Sequence, residues 1–482
     1  MSDSAFDALF DARSIGVIGA SPDGDGPANN FIAHLRTCGF EGPIHPIHPN
    51  AESIAGLKAY RSPADLPLPV DYLYVAIGAA RVPAAIASAR GRARVAQVIS
   101  SGFGETEEGR ALERELVEAA RSAGVRVIGP NSLGTHAPRC GLTFVDRALR
   151  EPGSVGVLSQ SGGLAADIVR RGQGKGVRFS GVVSVGNCAD VRVAELLRYL
   201  QDDPHTRVIG LYLENAGEAP ALFDILRGAR GAKPVVVLKG GRTAQGQAAA
   251  ASHTGALASD FRLWEALCRQ TGACLVESLD EFVDALLAFQ MLRARQGAPT
   301  KRVVLFGNGG GTSVLATDDC VRHGLDVARF DDALIARLAA LGLPPGAIVS
   351  NPIDVPANAL RAAQGSIAGR ILDEVLAAGA SEAVIMHVNI TVVLGYQKND
   401  LLGNLMEAAR GARERHPGDV HFVLVLRSDG EVEAEEARRR YRARALACGI
   451  PVFDEPAAAA RALAAVGWRE GWLARRNLPR DR

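Results

Sequence analysis

Short runs of nearly continuous Val, Ile and Leu recur along this chain, separated by mixed segments long enough to hold a helix. One arrangement occurs three times: an apolar strand, a Gly-rich loop, then a helical pattern. The instances are Ser14-Ile-Gly-Val-Ile-Gly-Ala-Ser21, Ser154-Val-Gly-Val-Leu-Ser-Gln-Ser-Gly-Gly163 and Arg302-Val-Val-Leu-Phe-Gly-Asn-Gly-Gly-Gly311. The first is followed by strand-like runs at Pro43–Ile47, Tyr72–Ile77, Val95–Ser100 and Val125–Ile128. The second is followed by Gly181–Val185, Val208–Leu213, Pro234–Leu238 and Ala273–Val276. After the third come Leu325–Ala328, Ala383–Val388, Val420–Leu426 and Pro451–Phe453. Runs apolar on both faces belong to parallel strands covered by helices, and the intervals suit βαβ units. The pattern predicts three doubly wound α/β domains, over 1–148, 149–295 and 301–470. The connections between them fall at Arg147–Gly153 and Arg293–Lys301, which are polar or contain Pro and Gly.

Length agrees with this count, since 482 residues at about 150 per domain make roughly three domains. A chain 47% hydrophobic and 22% charged, with 53 glycines, is globular rather than disordered. The formal net charge of +1 provides no field for nucleic acid or an anionic membrane, so any anion must be bound locally. The seven cysteines are odd in number and have no C-x-x-C spacing, which argues against a disulfide framework and against a zinc site. There is no basic and apolar leader at Met1–Asp7 and no apolar run of membrane-spanning length, so a cytoplasmic protein is expected.

The loop after the first strand, Gly19-Ala-Ser21, lets the backbone approach a phosphate and aims helix amides at it. A nicotinamide dinucleotide would use such a loop, but that site usually has an acidic residue at the tip of the second strand. Here that strand ends Ile47-His-Pro-Asn50, with Glu52 the nearest carboxylate. Later strands end in Ala76-Ile-Gly78, Ser100-Ser-Gly-Phe-Gly-Glu105 and Gly129-Pro-Asn-Ser-Leu-Gly134, at the sheet edge where open α/β folds bind ligands. Each also reads as an ordinary strand-to-helix turn.

In the second domain, Lys239 to Ala258 leaves a buried strand and passes through small residues to a single histidine, His253. A neutral imidazole is a good nucleophile toward phosphorus near pH 7, and a phosphoramidate is a labile donor. A lone histidine in a loop is ordinarily a capping or core residue. Its neighbours in the domain change that balance. The loop Ser159-Gln-Ser161-Gly162-Gly163 is of phosphate type, and Glu214, at the end of Gly210-Leu-Tyr-Leu213, emerges on the same sheet edge. A carboxylate there orients the imidazole by accepting one ring N–H. The Ala- and Gly-rich stretch from Gly240 to Gly255 reads as a mobile loop able to carry the histidine.

Gly241-Arg-Thr followed by Ser252-His-Thr-Gly-Ala-Leu-Ala258 closely resembles the NDP-forming (ADP-forming) acyl-CoA synthetases, relatives of succinyl-CoA synthetase. The resemblance runs from about Phe6 to Phe453. It implies a Rossmann-like CoA-binding domain followed by two flavodoxin-like ligase domains, of which the first carries a phosphohistidine at His253. It implies CoA contacts near Gly19, Ser21, Asn50, Ala76, Ile77, Ser100, Ser101 and Gly102, and places Asn131 in the catalytic pocket. Two helix N-termini would hold the phosphoryl group, after Ser159–Gly163 and after Gly309-Gly310-Gly311. Asn351-Pro-Ile-Asp354 matches a recurring family segment, and equally a Pro-containing turn. No ATP-grasp segment is found, so the resemblance implies an α subunit in a hetero-oligomer. Its β partner would supply the ATP/ADP and Mg²⁺ site, and a small carboxylic acid or acyl-CoA would be the substrate. A CoA-binding protein of the same fold without turnover, and a nicotinamide oxidoreductase, remain the rival readings; the latter has no use for the histidine segment.

Overall fold

The computed structural model describes residues 4–215, 217–254, 260–343, 345–362, 365–395, 400–417 and 419–478; for 251–254 and 361–362 it describes the backbone alone. The chain forms two compact units, 1–282 and 283–482, and the division falls inside the helix Leu279–Met291, ahead of the expected linker at Arg293–Lys301.

The first unit holds two large sheets. Strands β1 (Ile15–Ile18) and β2 (Ile44–Ile47) are followed by a two-residue hairpin, β3 (Ser53–Ile54) with β4 (Leu57–Lys58). Then come β5 (Val70–Val75), β6 (Ala93–Val98) and β7 (Arg126–Ile128), and the first sheet is parallel in the order β2-β1-β5-β6-β7. The second sheet contains β8 (Thr135–His136), β9 (Val155–Ser159), β10 (Phe179–Ser184), β11 (Val208–Leu213), β12 (Val235–Lys239) and β13 (Cys274–Val276). Its order is β13-β12-β11-β9-β10-β8, parallel except for β8. All residues of β9, β10 and β12 are buried, as expected of parallel strands covered by helices on both faces.

β8 was not apparent in the sequence, and it lengthens the second sheet with residues from the region assigned to the first domain. A buried carboxamide ties the two sheets together. Gln97 on β6 accepts from the Tyr72 and Thr135 hydroxyls at 2.9 Å each and donates to the Ser184 carbonyl at 3.1 Å. A backbone seam continues the join: Asn187 N–H donates to Pro130 O and Ala189 N–H to Gly129 O, both at 3.0 Å, and Val191 N–H to Val127 O at 3.2 Å. The Asp190 carboxylate accepts from Val127 N–H at 2.8 Å and from Arg126 at 3.1 Å. The expected division at Arg147–Gly153 thus falls inside one compact unit, after β8 has already joined the second sheet.

The second unit carries β14 (Val303–Gly307), β15 (Ile353–Asp354), β16 (Ala383–Asn389), β17 (His421–Arg427) and β18 (Val452–Phe453), parallel in the order β15-β14-β16-β17-β18. The strand expected at Leu325–Ala328 does not form. Asp326 makes a single bridge to Arg302, and the edge position beside Phe306 and Gly307 goes to Ile353 and Asp354. One polar anchor secures this unit. Glu470, fully buried, accepts from the Arg295 amide at 2.8 Å, the Thr300 amide at 2.7 Å and His421 Nε2 at 2.9 Å. Burial pushes its carboxyl up, but the bonds from His421 and the two amides outweigh burial and hold it below the usual glutamate range. A depressed folded-state pKa adds stability above the unfolded value of about 4.3, and that stability is lost as pH falls through the folded value. Glu470→Gln should cost about 2 to 3 kcal/mol at pH 7 and flatten the acid limb of a urea-denaturation series.

Candidate functional site

In an open doubly wound sheet the ligand crevice opens where strand order reverses, at the carboxyl ends of the strands. In the first sheet that point lies between β1 and β5. Gly19 follows β1 with φ +106°, and a Cβ there would lie 2.1 Å from the Ala76 carbonyl oxygen. Only glycine permits this approach, so Gly19→Ala should cost about 2 kcal/mol or more, read by thermal melting. Ser21 is fixed next to it: its N–H donates to Asn29 Oδ1 at 3.1 Å and its carbonyl accepts from Asn29 Nδ2 at 2.8 Å. The Ser100 hydroxyl bonds the Ile77 carbonyl, and Asn131 N–H donates to the Ser100 carbonyl at 2.9 Å. Gly19, Ala76, Ile77, Ser100 and Asn131 therefore form a continuous row along one sheet edge. Ser101 and Gly102 are exposed beside it, and Asn50 is exposed after β2, its N–H on His48 Nδ1 at 3.2 Å.

The second sheet reverses between β9 and β11. Ser159 is fully buried, and its hydroxyl donates to the Ser161 carbonyl at 2.7 Å. Ser161 caps the helix Gly162–Lys175, its hydroxyl accepting from Leu164 N–H at 3.3 Å. A Cβ on Gly162 would lie 2.6 Å from Leu133, whereas one on Gly163 would meet nothing within 4 Å. Gly163 thus exposes backbone amide at a helix N-terminus, where an anion is favoured.

Glu214 stands across the reversal. Gln160 holds its backbone, with Oε1 accepting from Glu214 N–H at 2.6 Å and Asn215 N–H at 2.9 Å. Its Oε1 accepts from the Tyr212 hydroxyl at 2.9 Å, while its Oε2 is buried without a partner among the described residues. Lys239 Nζ donates to the Glu214 carbonyl at 3.0 Å. Burial lowers that ammonium's pKa, and the Glu214 carboxylate opposes the shift.

These elements enclose a cleft of about 360 Å³ lined by Asn131, Ser161, Gly162, Gly163 and Glu214 among others. Its remaining polar lining includes Gln160 of the phosphate-type loop, to which the sequence assigns no role of its own, and Glu113, Asn187 and Asn215, which no sequence motif marks. Gln160 had a legible signal: Asn308 holds the matching place in the third Gly-rich motif, and its Oδ1 accepts from Asn389 N–H at 2.9 Å. The two sheets share this brace, but the position of Glu214 is taken by Asn389 in the third, so the carboxylate belongs to the second sheet alone.

His253 lies in the last turn of the helix Ala244–Thr254; its side chain and residues 255–259 are outside the described residues. The segment expected as a loop from Gly240 to Gly255 is a turn and then this helix. Its run of alanines, the strongest helix formers, accounts for the difference. The helix start is braced by Thr243, whose hydroxyl accepts from Gly246 N–H at 3.0 Å.

In the second unit, Gly309, Gly310 and Gly311 open the helix Gly310–Arg322 as expected. Asp354 already sits at that helix start: a Cβ on Gly310 would lie 3.1 Å from its Oδ2. Burial raises the Asp354 pKa, and a hydrogen bond from the Gly309 amide opposes the rise. Asn351, in the same segment, is a buried brace, accepting from Leu305 N–H at 3.0 Å and donating to the Val303 carbonyl at 2.8 Å. Among the described residues no helix is long and apolar enough to cross a membrane, and no group of three or more His, Cys, Asp or Glu is placed to hold a metal ion.

The geometry defines a class, a doubly wound α/β protein whose first unit carries two sheets with Gly-rich helix starts at their strand-order reversals. Residues 13–138 match the CoA-binding domain family and residues 152–289 the succinyl-CoA ligase-like flavodoxin domain family. The chain is 31% identical over 480 residues to the alpha subunit of an ADP-forming acetate–CoA ligase (I) of Pyrococcus furiosus, covering 98% of this chain and 99% of that one. It is 32% identical over 464 residues to an ADP-forming acetate–CoA ligase (I) of Archaeoglobus fulgidus, 95% of this chain but 63% of the other. Among solved structures, the dinucleotide-forming acetyl-coenzyme A synthetase 1 of Ca. Korarchaeum cryptofilum, in complex with phosphate and ADP, superposes with TM-score 0.82 at 27% identity, over 98% of this chain and 99% of that chain. This chain belongs to the NDP-forming acyl-CoA synthetases of the succinyl-CoA synthetase superfamily, as an ADP-forming CoA ligase alpha subunit.

Proposed function

We propose that this chain performs the acyl-transfer and phosphoryl-relay half of the ligase reaction, with His253 as phosphoryl carrier. The observation that supports this most is the cleft in which Asn131 from the CoA-binding sheet faces the Gly163 helix start and a partnerless Glu214 carboxylate oxygen. Starting from acyl-CoA, a phosphate oxygen attacks the thioester carbonyl, the C–S bond breaks, and CoA leaves with its proton. His253 then attacks phosphorus of the acyl phosphate, the P–O bond to the acyl group breaks, and the acid departs. Glu214 accepts the N–H of the second ring nitrogen and fixes which nitrogen attacks. The amides of Gly162 and Gly163 hold the phosphoryl oxygens. Finally the P–N bond breaks as ADP accepts the phosphoryl group. Dividing the transfer in this way replaces one difficult step by easier ones.

CoA is held along Gly19, Ser21, Asn50, Ala76, Ile77, Ser100, Ser101 and Gly102. ATP/ADP and Mg²⁺ belong to an ATP-grasp β subunit, and the active species is a hetero-oligomer. This is supported by the subunit name of the Pyrococcus relative and the greater length of the Archaeoglobus one. The seven free thiols suit a reducing cytoplasm. The substrate is a small carboxylic acid or its CoA thioester.

The test runs the relay backward. The chain and its partner subunit, given an acyl-CoA and labelled inorganic phosphate but no nucleotide, should gain protein-bound label that ADP then removes as labelled ATP. A complex that makes acyl-CoA yet never carries label would exclude the relay.

A further inference from the structure

Between the CoA loop and the cleft runs a chain of polar side chains with a fixed sense. Glu105 Oε1 accepts from the Gly102 amide, and its Oε2 accepts from Asn187 Nδ2 at 2.6 Å. Glu113 Oε2 accepts from the same Asn187 Nδ2 at 3.1 Å and from Gly104 N–H at 3.1 Å. Asn187 Oδ1 in turn accepts from Asn131 Nδ2 at 3.4 Å. Burial pushes the Glu105 carboxyl up, but the bonds from Asn187 and from the backbone amides of Glu105, Gly102 and Phe103 outweigh it and keep this group ionised.

An ionised carboxylate only accepts, so two carboxylates on one side of Asn187 force its NH₂ toward them and its carbonyl toward Asn131. Asn131 must then turn its own NH₂ to Asn187, which leaves its Oδ1 without a hydrogen-bond partner among the described residues, at the lining of the cleft. The backbones cannot adjust independently. Asn187 N–H is bonded to the Pro130 carbonyl at 3.0 Å, and a Cβ on Gly186 would lie 2.2 Å from the same oxygen. Two acceptors at the lining of the cleft are therefore left without a partner among the described residues, Asn131 Oδ1 and the buried Glu214 Oε2.

We propose that Asn187 is a positioning residue that sets Asn131 with its carbonyl oxygen toward the cleft, where it orients the S–H of CoA. This rests on the functional reading above, in which the thiol enters this cleft and the other donor there, the imidazole N–H, goes to Glu214. An acid carboxylate or an acyl phosphate dianion brings no donor. Asn131 is bonded through its backbone to Ser100 of the CoA row, so its partner should be the ligand held by that row.

The experiment compares CoA with desulfo-CoA, which has hydrogen in place of the thiol, by calorimetry on the full chain. Wild type should bind CoA about twofold to threefold more tightly, since S–H is a weak donor and its bond lies at the lower end of the ordinary range. In the double variant Glu105→Gln, Glu113→Ala, the amide introduced at position 105 keeps its oxygen on the Gly102 N–H and turns its NH₂ to Asn187 with no carboxylate left to oppose it, so the order of donors and acceptors reverses and the discrimination should vanish while desulfo-CoA binds as before. Asn187→Ala, which frees Asn131 to turn, should also abolish it, with an unchanged melting temperature showing that the fold is intact. Equal binding of both ligands by wild type, or full discrimination retained in the variants, would overturn the proposal. Failure of either ligand to bind overturns the CoA reading itself, and labelling of His253 tests that reading without reference to the thiol.

Discussion

His253→Ala should bring acyl-CoA formation by the assembled enzyme to background, a fall of about 10⁴-fold or more in kcat, because no parallel route replaces a lost nucleophile in a covalent relay. CoA affinity should change by less than about twofold, since the proposed CoA contacts lie after β1, β2, β5 and β6 of the first sheet and His253 lies in the helix that follows β12 in the second. The split between kcat and binding distinguishes a carrier from a residue that merely supports the fold. A histidine that only capped its helix would shift stability and leave turnover within a few-fold.

Glu214→Gln should lower kcat by about 10² to 10³-fold with little change in CoA binding. The substitution keeps the shape, the backbone bonds to Gln160 and an oxygen for the Tyr212 hydroxyl. It replaces the partnerless Oε2 with an NH₂ group, which cannot accept an imidazole N–H. Tyr212 remains a donor over the working pH range, because burial and then the Glu214 charge push its phenol far above the ordinary value. A kcat within twofold of wild type would remove Glu214 from the relay.

Much of this could be read from the sequence because glycine and buried aliphatic runs have few alternative uses. The three strand–Gly loop–helix openings became β1, β9 and β14 with the helices that follow them. Glu214 and Ser161 could be brought together in advance because strand ends of one doubly wound sheet share an edge, whereas Asn131, on the other sheet, was legible as a pocket residue only through the family resemblance. What escaped notice depends on contacts distant in sequence. Asn187 stands in an ordinary turn, and its importance comes from Glu105 and Asn131, 82 and 56 residues away. β15 is two residues long, too short for any periodicity, while Leu325–Ala328 alternates like a strand yet pairs only through Asp326. The helix Ala244–Thr254 is hard to foresee because its small residues suit both an open loop around the histidine and a helix.

The most direct test of the central claim is to mix the chain with its ATP-grasp partner and γ-labelled ATP, then digest the protein and locate the label. Acid-labile, base-stable label on the peptide containing His253, absent from His253→Ala and discharged by an acid plus CoA, is the expected result. Wild type that remains unlabelled while the complex turns over, or His253→Ala that labels as well as wild type, would contradict it.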